Sequence, residues 1–160
     1  MNYQENMYSS FQAICNMDID TKKKIGMMTI LFSIEPNNWR VMGISEDALK
    51  CFNEYKFKRV SGMGINRSHL KRRFDSYNDL MEKEAKGDFK NDFSKWWEHY
   101  FKNDITYLTT SSENMSSKHS NIIKIKNYDF QLFKSKGYAW KHGEVEMNLL
   151  KKMFNKHCST

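Results

Sequence analysis

The spacing of hydrophobic and polar positions predicts a succession of short elements along the chain. Residues 27–34 are apolar almost without interruption, which is typical of a buried strand. Residues 11–25 carry a weaker helical pattern, and residues 1–10 are polar enough that we expect them to be loosely ordered. After Pro36, two asparagines predict a turn into a second short strand over residues 39–42.

Helical spacing is clearer in the middle and at the end of the chain. Ser45 is placed as an N-cap, and the two acids after it favour the positive end of a helix over residues 46–55. Residues 76–86 and 88–102 predict two further helices, and residues 144–155 predict a closing one. The helix over 88–102 has the clearest amphipathic pattern, because its aromatic residues recur at helical spacing.

Strand signals come from runs of β-branched and aromatic residues. Residues 105–110 predict one strand, and residues 122–125 alternate as another. Between them, one of two consecutive serines caps a predicted short helix that starts at residues 113–114. Residues 57–65 are expected to be extended, with a bend at two glycines. No repeat or linker divides the chain, so the sequence predicts one α+β domain over residues 1–160.

The cysteines and the apolar segments limit the class of protein. Cys15, Cys51 and Cys158 lie far apart and form no C-x-x-C pair, so the sequence predicts reduced thiols and no structural zinc. The first 24 residues contain acids where a secretory signal needs an apolar core, and no stretch reaches transmembrane length. We therefore expect a cytoplasmic protein with no membrane partner.

Positive charge is concentrated along the chain. Lys and Arg outnumber Asp and Glu by 26 to 19, but residues 56–73 contain seven basic residues and no acid. Residues 75–104 reverse the balance, and residues 118–141 carry six lysines against one acid. Aromatic residues accompany the basic segments: Tyr55, Phe57, Tyr128, Tyr138 and Trp140. A solvated face would explain an isolated run, whereas two basic runs with aromatic residues favour nucleic acid, since cations bind phosphates and rings stack on bases.

One histidine stands inside the first basic segment. His69 lies in GINRSHLKRR, residues 64–73, and the downstream segment ITYLTTSSENMSSKHSN, residues 105–121, carries Asn114 and His119. A histidine can deprotonate water near neutral pH, a hard cation such as Mg²⁺ can neutralise a phosphate, and arginines can stabilise the added charge. These are the groups that phosphodiester hydrolysis requires.

The two segments resemble the halves of the ββα-metal motif, also called HNH or His-Me finger, of homing, restriction and phage-type nucleases. Residues 39–50 also resemble the segment that precedes this motif in some of these enzymes. The resemblance implies an α+β fold whose core is a strand, a helical insertion over residues 74–103, a strand and a short helix, surrounded by helices. It also implies an endonuclease that hydrolyses DNA with a histidine base and a divalent metal.

The resemblance implies a role for each matching residue. His69 would be the general base that activates water, and Arg67 and Arg72 would contact the scissile or an adjacent phosphate. Asn114 would help to ligate a single Mg²⁺ or Mn²⁺ ion or position the base. These four residues form the catalytic centre that the resemblance predicts.

The chain departs from the family pattern in its metal ligands. Position 66 is asparagine where an acid often stands, and the cysteine pairs that hold zinc in many of these proteins are missing. The second metal ligand is therefore open, with His119 the first candidate and Asn66 the second. The remaining basic residues of these segments are expected to bind nucleic acid: Lys56, Lys58, Arg59, Lys71, Arg73 and Lys118. The resemblance favours DNA over RNA, and the sequence is compatible with a homodimer.

Three other functions stay open on the sequence alone. A non-catalytic nucleic-acid-binding protein on a nuclease-like scaffold would explain the missing ligands. A metal-independent ribonuclease would use His69 and another histidine as an acid–base pair. A protein-binding inhibitor would use the helix that carries Trp96 and Trp97, although an aromatic stripe of this kind belongs to a core more often than to an interface.

Overall fold

The computed structural model describes residues 3–35, 37–116, 118–127 and 131–158. This part of the chain forms one compact α+β fold of seven helices and a mixed sheet with a separate hairpin. The helices are α1 (Tyr3–Asn16), α2 (Thr21–Ser33), α3 (Glu46–Glu54), α4 (Arg73–Ala85), α5 (Phe93–Asn103), α6 (Ser111–Ser116) and α7 (Glu144–His157). The strands are β1 (Arg40–Ser45), β2 (Ile65–His69), β3 (Ile105–Thr110), β4 (Ile122–Lys124), β5 (Ser135–Lys136) and β6 (Ala139–Trp140). Among the described residues, no helix is both long enough and apolar enough to cross a membrane.

The main sheet has its four strands in the order β2-β3-β1-β4. β1 and β3 are parallel, whereas β2 and β4 run antiparallel to their neighbours. In the β2–β3 register Arg67 lies opposite Leu108, and His69 lies opposite Thr106. The chain passes from β2 to β3 through α4 and α5, which occupy the range of the predicted helical insertion.

Two hydrophobic clusters that share no residue stabilise the fold. The first lies between the sheet and helices α3 and α7, and its fully buried residues include Val41, Ile44, Leu49, Phe52, Leu108 and Leu150. The second joins α1, α2, α4 and α5, and its fully buried residues include Phe11, Met28, Phe32 and Trp96. The two N-terminal helices and the two inserted helices therefore form one helical bundle beside the sheet.

The segment between α2 and β1 fastens this bundle to the sheet. The Trp39 backbone N–H donates to Oδ2 of Asp104 at 2.5 Å. The Asn38 side chain donates to the carbonyl of Phe32 and accepts from the hydroxyl of Tyr100. All these polar groups are buried, and each finds a partner there, as buried polar groups must.

Several predicted elements agree with the structure at or near their predicted ends. β3 spans Ile105–Thr110 as predicted, and α7 begins at Glu144. The extended segment predicted over residues 57–65 is wrong in its bounds, because turns occupy much of that range and β2 begins only at Ile65. α3 begins directly after Ser45, whose Oγ accepts from the backbone N–H of Ala48 at 3.1 Å. Local signals were sufficient here because caps and β-branched runs act within a few residues.

The prediction of a buried strand over residues 27–34 is wrong, because this segment lies mostly in α2. Met28 and Phe32 are fully buried in the bundle, whereas Ile30 on the outer face is 63% exposed. Periodicity alone cannot separate a short apolar strand from a buried helix. The overlooked signal was Asp20, whose side chain caps the helix by accepting from the Lys23 N–H at 3.0 Å.

The N-terminal prediction also needs correction. Residues 1–10 were expected to be loose, but from Tyr3 onward they form α1, in which Met7 and Tyr8 are buried. The ring centroid of Tyr8 lies 5.1 Å from that of Trp96 on the inserted helix α5. Only one narrow face of α1 is buried, so most of its residues are polar. The helix α5, which this face contacts, is distant in sequence. The turn predicted from the two asparagines after Pro36 is confirmed, since Asn37 lies in a turn and the Asn38 N–H donates to the Glu35 carbonyl at 3.0 Å; Pro36 itself lies outside the described residues.

The aromatic helix is shorter than predicted, and its strongest residues lie in the core. α5 begins at Phe93 instead of residue 88. Asp92 caps the helix there, because its side chain accepts from the N–H groups of Ser94 and Lys95. Trp96 and Tyr100 are buried against the N-terminal helices. This burial removes the centre of the face that a protein-binding inhibitor would have used.

Candidate functional site

Six side chains that the sequence singled out line one open cleft of about 220 Å³, which we call the arginine cleft. β2 contributes Arg67 and His69, the α4 start contributes two arginines, and α6 and the loop after it contribute the rest. Its lining residues are Arg67, Ser68, His69, Arg72, Arg73, Asn114 and His119. The predicted catalytic residues and two of the three predicted metal ligands therefore converge in space.

A second cleft of about 230 Å³ adjoins the first, and we call it the aromatic cleft. It shares four residues with the arginine cleft and adds three aromatic rings and an amide. Its lining residues are Trp39, Asn66, Arg67, His69, Arg73, Asn114, Tyr138 and Trp140. The sequence pointed to Tyr138 and Trp140 only as members of a basic segment, and it did not point to Trp39 as a site residue.

His69 is half-buried at the end of β2, and its ring meets the edge of Trp39 with centroids 5.8 Å apart. Burial, followed by the charges of Arg73 and Arg67, lowers the pKa of His69 to about 3. The imidazole is therefore neutral at physiological pH. No described residue hydrogen-bonds to it, so it can offer a ring nitrogen to a ligand.

Arg67 has a structural task that the sequence did not reveal. Its Nη1 donates to Ser135 Oγ at 2.6 Å, and its Nη2 lies 2.9 to 3.2 Å from the carbonyl oxygens of Gly137, Tyr138 and Ala139. Burial lowers the pKa of Arg67 to about 10. The guanidinium holds the β5–β6 hairpin in place, so fewer of its donors remain for the phosphate contact that the resemblance implied.

Arg72 and Arg73 carry the exposed positive charge of the arginine cleft. They occupy the N-cap and first position of α4, where cations oppose the helix dipole instead of complementing it. The Arg73 guanidinium lies 5.7 Å from the ring centroid of Trp39. Asp75 in the same first turn complements the dipole, so the feature of this helix start that suits an anion is the pair of arginines in the cleft.

Asn114 and Asn66 are oriented by hydroxyl groups on neighbouring elements. Asn114 Oδ1 accepts from Ser68 Oγ at 2.7 Å, and Asn66 Nδ2 donates to Ser111 Oγ at 2.9 Å. Among the described residues, neither the Asn114 Nδ2 nor the Asn66 Oδ1 has a hydrogen-bond partner. One donor group and one acceptor are thus left for a ligand.

Glu113 fixes α6 in place, a role that the sequence did not indicate. Its Oε2 accepts from Ser45 Oγ at 2.7 Å and from the Thr110 N–H at 2.8 Å, and its Oε1 accepts from the N–H and hydroxyl of Ser120. These hydrogen bonds outweigh burial and lower the pKa of Glu113 to about 2. The T-x-x-E spacing of a capping box was the available signal, and it makes Thr110 the cap instead of the serines that follow.

The chain was compared with protein-family models, curated proteins and solved structures. None of the three comparisons finds a match. The two clefts are therefore interpreted from the charge, burial and hydrogen-bonding capacity of their own residues.

The donor set of the clefts does not fit the divalent metal that the resemblance implies. Hard cations such as Mg²⁺ prefer carboxylate oxygens, but none of the described residues that line either cleft is an acid. Asn114, His119 and Asn66 would have to bind the ion beside three arginines. Nowhere in the described part of the chain do three or more His, Cys, Asp or Glu side chains come together as a metal site.

The other predicted nucleic-acid-binding residues do not reach either cleft, except Arg73. Arg59 stacks its guanidinium 3.9 Å above the ring centroid of Trp140, and Lys71 Nζ lies 3.5 Å from Asp79 Oδ2. Lys56, Lys58 and Lys118 are exposed outside the clefts. Tyr128, which the sequence placed beside these cations, lies outside the described residues.

Proposed function

We propose that this protein binds nucleic acid, with a backbone phosphate in the arginine cleft. The proposal depends on one observation: Arg72 and Arg73 meet His69, Asn114 and His119 in a single concavity whose described lining contains no acid. Charged and neutral donors of this kind bind phosphate oxygens. A phosphate would also offset the arginine charges that depress the His69 pKa.

The aromatic cleft favours nucleic acid over a small phosphate compound. Trp39, Tyr138 and Trp140 line a cavity that adjoins the arginines, and the sequence has a net charge of +7. A polymer with alternating charge and flat rings matches two adjoining clefts, one cationic and one aromatic. The resemblance supports the same conclusion, since β2 and β3 are antiparallel, α6 follows, and His69 and Asn114 line one cleft.

Binding of fluorescent 20-residue DNA and RNA oligonucleotides at several salt concentrations tests the proposal. We expect affinity to fall steeply with salt, and replacement of Arg72 and Arg73 together by alanine to weaken binding about tenfold and reduce the salt slope by about one to two. Replacing Lys151 and Lys152 on α7 by alanine removes the same charge outside both clefts and serves as the control. Equal effects of the two double substitutions would contradict a phosphate site in the arginine cleft.

A second function, phosphodiester cleavage without a metal, is favoured by the presence of both His69 and His119 in the arginine cleft. One neutral histidine would take the proton of a ribose 2′-hydroxyl as its oxygen attacks phosphorus. The other, protonated, would give a proton to the departing 5′-oxygen, leaving a 2′,3′-cyclic phosphate. Arginines would stabilise the charge that develops on phosphorus.

Incubation of the bound oligonucleotides with and without EDTA separates the possible reactions. Cleavage of RNA alone, retained in EDTA and lost in His69→Ala and His119→Ala, is the expected result for this second function. Cleavage of DNA that EDTA abolishes would instead favour the metal-dependent endonuclease of the resemblance. Binding without cleavage of either substrate would leave a binding protein.

A further inference from the structure

We infer that the ligand is single-stranded, and that one unpaired base occupies the aromatic cleft with its face on Tyr138. This inference rests on the proposed function and names the form of nucleic acid that the same site accepts. In a duplex, base faces are covered by neighbouring pairs, so a protein ring can stack only on a base that is unpaired or flipped out.

Tyr138 differs from the other rings of the aromatic cleft in its exposure. Its side chain is 63% exposed, whereas Trp39 and Trp140 are 3% and 6% exposed. The Tyr138 ring lies 5.8 Å from that of Trp39, centroid to centroid, at an angle of 30°. One part of the tyrosine is thus supported by a buried tryptophan, and the rest remains available to a second flat group.

The hairpin that carries Tyr138 is held in position by contacts within the protein, without a ligand. Arg67 binds the carbonyl oxygens of residues 137–139, and Ser135 Oγ donates to the Asn38 carbonyl at 2.7 Å. The hairpin turns at Gly137, whose φ of +59° suits glycine. A ring on a fixed hairpin loses little conformational entropy when a base stacks on it, which favours affinity.

The same cleft offers polar groups for the edge of a base. Asn114 Nδ2 and Asn66 Oδ1, a donor and an acceptor without described partners, belong to side chains that line it. An unpaired base presents both kinds of group along its edge, whereas in a duplex its pairing edge is already bonded. Asn114 and Arg73 line both clefts, so a base in one adjoins a phosphate in the other.

Fluorescence anisotropy with three probes tests the inference: a single-stranded 12-mer, its duplex, and a 12-mer whose central residues are abasic. We expect the single strand to bind at least tenfold more tightly than either other probe at 150 mM salt. Tyr138→Ala should weaken single-strand binding about 5- to 150-fold and leave abasic binding unchanged, since stacking contributes about 1–3 kcal/mol per base. Tyr138→Phe should retain binding within about threefold. Tyr3→Ala, at an exposed tyrosine on α1, is the matched control.

The outcomes separate this inference from the proposed function. If the duplex binds as tightly as the single strand, or if Tyr138→Ala has no effect while the Arg72 and Arg73 substitutions weaken binding, the base platform is wrong and the phosphate site stands. If none of the three probes binds, the proposed function itself is overturned. Circular dichroism of each variant establishes that the fold is intact.

Discussion

At the scale of single residues, His69 shows how an environment can change what a side chain does. A histidine among arginines in a sequence predicts a general base with a pKa near neutral. The structure buries it beside Trp39 and Arg73, which lowers its pKa to about 3. In the free protein it is therefore a neutral hydrogen-bonding group; burial is the main cause, and an anion in the cleft would offset only the smaller part that comes from the arginines.

This shift predicts a measurable pH dependence of stability. The folded pKa lies below the unfolded value of 6.5, so the unfolded chain binds the proton more tightly and stability is lost as pH falls below 6.5. Between pH 6.5 and pH 4 the free energy of unfolding of the wild type should fall by about 3 kcal/mol relative to His69→Gln. Urea denaturation at each pH measures this difference. His157→Gln, at an exposed position on α7, is the control. If the wild type loses as much stability relative to this variant as it does relative to His69→Gln, the pH dependence does not come from His69.

At the scale of elements, the sequence predicted those whose signals are local. Ser45 and its two following acids define α3, and the run from Ile105 to Thr110 defines β3. The apolar end of α2 was mistaken for a strand because a short apolar run fits either structure unless its N-terminal cap is recognised. The helix predicted over residues 11–25 overlaps the end of α1 and the start of α2, whereas the first half of α1 was missed because its partner, α5, is distant in sequence. Long-range assembly of a bundle is not encoded in the spacing of one segment.

If residues 27–34 belong mostly to a helix and not to a buried strand, substitutions at Met28 and Ile30 should differ in their cost to stability. Met28 is fully buried in the bundle, so Met28→Ala should cost about 2–5 kcal/mol of unfolding free energy. Ile30 is 63% exposed, so Ile30→Ala should change stability by less than about 0.5 kcal/mol. In a strand buried on both faces the two changes would have similar costs. Chemical denaturation of the two variants therefore decides between the structures.

At the scale of the whole molecule, the candidate site lies where the helical bundle meets the sheet. Through the resemblance, the sequence predicted that His69, Arg72, Asn114 and His119 share one site; these residues line one cleft, and their roles stay a prediction. The sequence could not show that Arg67 binds the β5–β6 hairpin, or that Trp39 and Tyr138 form an aromatic wall. Those contacts join segments about 70 to 100 residues apart, and only the assembled fold brings them together.

Asp104, at this same junction, has a titration opposite in sign to that of His69. Burial is the main reason that its pKa is raised to about 7, despite the hydrogen bond from the Trp39 N–H and the charges of Arg40 and Arg67. The folded pKa lies above the unfolded value of 3.8, so this contribution to stability is complete below pH 3.8 and is lost as pH rises through 7. At about 1.4 kcal/mol per pH unit, the loss is about 4 kcal/mol.

As pH changes, the contributions of His69 and Asp104 to stability change in opposite directions. Between pH 4 and pH 6.5 the stability of the wild type should therefore vary less with pH than that of Asp104→Asn or His69→Gln. Asp104→Asn keeps an acceptor for the Trp39 N–H and removes the contribution to stability that decreases as pH rises. The stability of this variant should therefore rise with pH. His69→Gln removes the contribution to stability that increases as pH rises. The stability of this variant should therefore fall as pH rises. Thermal denaturation across this range measures both slopes. Parallel profiles for the wild type and Asp104→Asn would contradict the raised pKa of Asp104 in the folded protein.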